Sequence, residues 1–96
     1  MKRFTIDAQC FDSLCRFFDY ADVVLCSNFR SGRNLNAFHD VLMGGFGKFD
    51  YEEEIEIVWL DAPKSRRDLG DVYERLADAI RSKEHITFTE KDSVAG

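Results

Sequence analysis

The chain has 96 residues, 45 % of them hydrophobic, and a formal net charge of −5. That length predicts one small domain over residues 1–90 with a polar tail at 91–96, and a core burying a little over ~60 % of the unfolded surface. The acidic balance argues against nucleic acid, whose phosphates demand basic surface, and favours a basic protein partner.

No apolar run approaches the roughly 20 residues of a membrane span, and no apolar stretch follows Lys2 and Arg3 as a signal peptide would require. Three cysteines, Cys10, Cys15 and Cys26, are an odd number without metal-type spacing. Reduced thiols in a cytoplasmic protein are the simplest account, with no metal, no cofactor and no membrane partner expected. The free chain is expected to be a monomer.

In chain order, Lys2 to Ile6 alternates, with Phe4 and Ile6 on one face, and reads as a short strand. Asp12 or Ser13 can cap a first helix in which Leu14, Cys15 and Phe18 share a face with Phe11 at its entry. Cys15 is then expected to be a small core residue rather than a nucleophile. Ala21 to Cys26 fits either a brief second helix or a buried extended link.

The stretch Ser31 to Gly47 is the most informative. Asn34 is a good N-cap, and Leu35, Phe38, Val41 and Leu42 recur at helical spacing toward a core. Gly44 and Gly45 stop this helix, which runs to about Met43. The opposite face carries Asn36, His39, Asp40 and Met43, so a carboxylate, an imidazole and an amide point outward together.

Beyond it, Glu54 to Ile57 alternates and then passes into the unbroken apolar run Ile57 to Leu60, a strand half exposed at one end and buried on both faces at the other. The preceding acids Asp50, Glu52, Glu53 and Glu54 read as guards against edge pairing, or else as a charged ligand surface. Pro63 ends the strand. Ser65 to Asp68 has the form of a capping box with Asp in place of Glu. Leu69, Val72, Tyr73, Leu76 and Ile80 then form the stripe of the longest helix, reaching about Ser82, with Gly70 a weak point that can place its start later. His85 to Thr89 is a last strand with Ile86 and Phe88 on one face. The alternation of strands and helices predicts an α/β domain, with a three-stranded parallel sheet packed by three to four helices.

The segment Gly32-Arg-Asn-Leu-Asn-Ala-Phe-His-Asp40 resembles the Gly-x-Asn-Leu-Asp-Ala-Leu-Trp-Asp signature of the barstar family of ribonuclease inhibitors. Gly32, Asn34, Leu35, Ala37 and Asp40 match it. The order and spacing of the remaining elements, from about Phe4 to Glu90, resemble that family too. The resemblance implies a barstar-like fold. It further implies a function: inhibition of a cognate ribonuclease toxin by a helix and its preceding loop inserted into the active site. There, carboxylates would stand in for substrate phosphates, since an Arg–carboxylate pair copies Arg–phosphate geometry.

By the same resemblance, Asp40 falls on the principal inhibitory aspartate. Asn36 falls where the family has a second aspartate, and His39 replaces an interface tryptophan. Arg30 and Ser31 stand in the place of two loop tyrosines, with Arg33 beside them, and Asp78 falls on a further interface acid. One negative charge and the aromatic contacts are therefore lost, and Arg30 and Arg33 add positive charge, which points to a less basic toxin than barnase. Two other readings stay open: a barstar-fold module for a non-nuclease partner, and nucleic-acid binding through Lys64 to Arg67, which is short for that purpose. An enzyme is not expected, because His39 and Asp40 are sequence neighbours without an accompanying nucleophile motif.

Overall fold

The computed structural model describes residues 1–26 and 34–93. Among the described residues, three strands, β1 (Lys2–Asp7), β2 (Ile55–Leu60) and β3 (Ile86–Glu90), alternate with four helices. These are α1 (Leu14–Leu25), α2 (Leu35–Met43), α3 (Ala62–Leu69) and α4 (Asp71–Arg81). The sheet is wholly parallel in the order β1-β2-β3, with Phe4 opposite Ile57 and Ile57 opposite Phe88. This is the α/β architecture that the alternation of periods predicts.

Pleating sends Ile6 of β1, Ile55, Ile57 and Trp59 of β2, and Ile86 of β3 into one core with the helices. Trp59 sits at its centre, fully buried, with Phe17 stacked on it at 5.4 Å and Tyr73 meeting it edge-on at 4.9 Å. Such aromatic contacts add to the large area each ring removes from water. On the other side of β2, Val58 is buried and Leu60 half-buried, so the far half of the strand is covered on both faces, as its unbroken run predicts.

Five local expectations need correction or completion. The first helix runs unbroken from Leu14 through Leu25, so Ala21 to Leu25 is its last turn and not a separate element. Cys26 follows as an isolated antiparallel bridge to Gly47. Ser13 is the cap, its hydroxyl accepting from the Arg16 N–H. The buried stripe of α1 is Phe17, Phe18, Ala21 and Leu25, which leaves Cys15 to one side of it and exposed. Cys15 is thus not a core residue.

Ser65 does not cap a helix either. Asp61, in the left-handed region at φ 57°, turns the chain directly from β2 into α3, with Pro63 in the first helical turn. Ser65 therefore lies inside α3, buried, where its Oγ accepts from the Trp59 indole N–H at 2.8 Å. Finally, Gly70 adopts φ 59° and separates α3 from α4, so the helix expected from Leu69 starts later, at Asp71. Among the described helices the longest is α1, with 12 residues against 11 for α4.

Candidate functional site

The candidate surface is built on α2. Its start is fixed by Asn34, whose side-chain oxygen accepts from the Ala37 N–H at 2.8 Å. Phe38, Val41 and Leu42 anchor one side in the core. The spacing of 3.6 residues per turn then leaves Asn36 and Asp40 exposed, one turn apart, with His39 and Met43 half-buried beside them.

Three carbonyls in the last turn of α2 are satisfied by groups outside the helix. Val41 accepts from Gly44 N–H at 3.1 Å, Met43 from Glu52 N–H at 2.8 Å, and Leu42 from the His85 imidazole Nε2 at 2.8 Å. Gly44 takes φ 100° and passes so close to the Asp50 carbonyl that a Cβ there would collide with it. Glycine is the residue that fits this exit.

α4 packs against α2 and carries Asp78, exposed on its outer side. The Asp78 carboxylate accepts from Arg81 Nη1 at 3.1 Å, and Arg81 also pairs with Glu90. With its side chain 74 % exposed, that bridge is well screened and leaves Asp78 open to a competing cation. Between α1, α2 and α4 lies a mostly apolar cavity of about 240 Å³ lined by Leu14, Phe18, Leu35, Val72, Arg75 and Leu76. The structure thus places Asn36, His39 and Asp40 on one helix and Asp78 on its neighbour. Arg30, Ser31 and Arg33 lie outside the described residues.

The acids before β2 divide by role. Glu53 closes its own turn: its carboxylate accepts from the Asp50 N–H at 2.8 Å and from Lys2 Nζ at 3.4 Å. The Asp50 amide first, and Lys2 after it, hold the Glu53 carboxyl below its usual range. Glu52 and Glu54 are exposed and, with Met43, Glu84 and His85, line an open cavity of about 600 Å³ at the end of α2. Sequence reasoning places His85 only at the head of the last strand. Its contact with Leu42, 43 residues away, has no local signature.

Cys10 and Cys15 are exposed and Cys26 is buried, and all three are reduced. Burial pushes the Cys26 thiol up to about 11, with Asp22 adding to the effect, so it stays protonated at neutral pH and is a poor nucleophile. Among the described residues no three His, Cys, Asp or Glu side chains converge as a metal site requires. No described helix is long and apolar enough to cross a membrane.

Among curated proteins, none matches the chain. The family model described as Barstar (barnase inhibitor) matches residues 1–93. With that match spanning the sheet, all four described helices and the Asn34 to Asp40 signature, the chain belongs to the barstar family.

Proposed function

We propose that this chain inhibits a cognate ribonuclease toxin, as an immunity protein or antitoxin, by setting the Asp40 face of α2 in the enzyme's active site. The observation that carries this reading is the exposed Asp40 carboxylate, borne by a short helix whose other side is locked into the core of a barstar-family chain. A carboxylate held rigidly in this way can meet a catalytic Arg, Lys or His in place of a substrate phosphate. Asp78, on the helix packed against α2, supplies a second acid. Asn36 and His39 add hydrogen-bonding groups without negative charge, and Arg30, Ser31 and Arg33 precede them in the chain. This balance suits an enzyme less basic than one met by two carboxylates on a single helix, because like charges at an interface are strongly disfavoured. The role is that of an inhibitor and not of an enzyme.

Co-expression with candidate ribonucleases, read as growth rescue and copurification, tests the reading. Asp40→Ala should weaken binding by at least about 2 kcal/mol, roughly thirtyfold in Kd, since a charged residue at the centre of an interface is a hot spot. Because Asp40 is exposed, thermal stability of the variant should stay within about 0.5 kcal/mol of the parent. Rescue that survives the substitution would move the interface elsewhere. Capture of a non-nuclease protein in its place would favour the reading as a general interaction module.

A further inference from the structure

We propose that His85 is a positioning residue for α2: its imidazole clamps the last turn of the helix to the sheet and so fixes where Asp40 is presented. The functional consequence rests on the inhibitor reading; the clamp itself does not.

His85 holds two elements at once. Its own carbonyl accepts from the Ile55 N–H at 3.1 Å, which ties it to the first residue of the central strand β2. Its Nε2 lies 2.8 Å from the Leu42 carbonyl in the last turn of α2. A carbonyl oxygen can only accept, so Nε2 carries the proton. The neutral Nε2–H tautomer and the imidazolium both meet that requirement. The groups around the ring are Glu52, Glu54 and Glu84, with Lys83, Ser82 and Met43 completing the cavity wall.

The need for a clamp follows from length. α2 has nine residues, below what holds a helix in water without tertiary contacts. Its final carbonyls have no partners within the helix, and of the three satisfied from outside only Leu42 depends on a side chain. Val41 and Met43 are served by backbone amides of the segment between α2 and β2, whereas His85 reaches across from the turn that enters β3.

Amide hydrogen exchange on the free protein tests the clamp. His85→Leu removes the donor while keeping apolar bulk. It should lower protection of the α2 amides Phe38 to Met43 by roughly tenfold, the worth of about one net hydrogen bond, and leave Ile57 and Val58 in β2 far less affected. His85→Gln, whose amide N–H reaches a similar point, should restore most of the protection. Unchanged α2 protection in His85→Leu would overturn the proposal. So would an equal loss in α2 and β2, which would mark general destabilisation, or a failure of Gln to rescue. If His85→Leu does not fold, His85→Asn, too short to reach Leu42, takes its place under the same criteria. The outcome is independent of Asp40→Ala: a clamp that holds beside an Asp40 that does not matter would sink the inhibitor reading alone.

Discussion

At the scale of single residues, the centre of the core depends on one hydroxyl. Trp59 needs a partner for its indole N–H, and Ser65 supplies it from within α3 at 2.8 Å. Ser65→Ala keeps the volume nearly constant but leaves a buried donor unsatisfied, a cost of about 1–3 kcal/mol. For a chain of this size that corresponds to a fall in Tm of at least several degrees, roughly 4–8 °C per kcal/mol, readable by thermal denaturation with the Trp59 emission as a second probe. An unchanged Tm would mean that water reaches the indole. The same serine shows the limit of pattern reading. Ser65 to Asp68 has the spacing of a capping box, yet the left-handed turn at Asp61 starts the helix four residues earlier and sends the serine inward. A cap pattern states what a residue could satisfy locally. Trp59, six residues back on another element, offered the better use for the same group.

At the scale of elements, what was legible was what is periodic or capped. The strands were visible through alternation, and α2 through its apolar stripe, with Asn34 before it and Gly44 after it. That cap is predicted to matter: Asn34→Ala should destabilise α2 by about 1 kcal/mol, seen as lower exchange protection in its first turn, with Ala37 most affected because it loses its acceptor. Equal protection in parent and variant would show that packing alone sets the helix start. Less legible were boundaries decided by one backbone angle. Gly70 inside an apolar stripe reads as a mild penalty, but at φ 59° it separates two helices. The extent of the candidate surface was legible only as far as α2 itself. His85 reaches it through tertiary packing, and no spacing in the sequence announces a contact of that kind.

At the scale of the whole molecule, the ionisable groups set a pH window. The carboxyls of Glu53 and Glu56 are held below the usual value of 4.5, Glu53 chiefly by the Asp50 amide and Glu56 chiefly by the Arg3 guanidinium. A folded-state value below the unfolded one gives stability that is full above about pH 4.5 and lost as the pH falls through the lowered values. Tyr73 is pushed up to about 12 and Cys26 to about 11, both mainly by burial. Their folded forms hold protons that the unfolded chain releases, so stability declines as the pH rises from about 9 toward 12. Chemical denaturation across pH should therefore show a plateau through neutrality with a fall on each side. Glu53→Gln and Glu56→Gln together should flatten the acid limb without moving the alkaline one. An acid limb unchanged in that double variant would assign the fall to other carboxylates.

The register of the sheet also dictates an order of events. Arg3 faces Glu56, 53 residues further along the chain, and β2 in turn waits for β3 beyond α4. Neither ladder can form between chain neighbours, so each closes a long loop before it gains a single pairing bond. Chains that rely on such distant pairings fold more slowly than helical bundles, whose contacts are mostly local. On the ribosome, β1 emerges first and stays without its partner until the segment ending at Leu60 has left the exit tunnel. Until then the core that anchors Phe38, Val41 and Leu42 of α2 is incomplete, because Ile55, Ile57 and Trp59 of β2 are part of it.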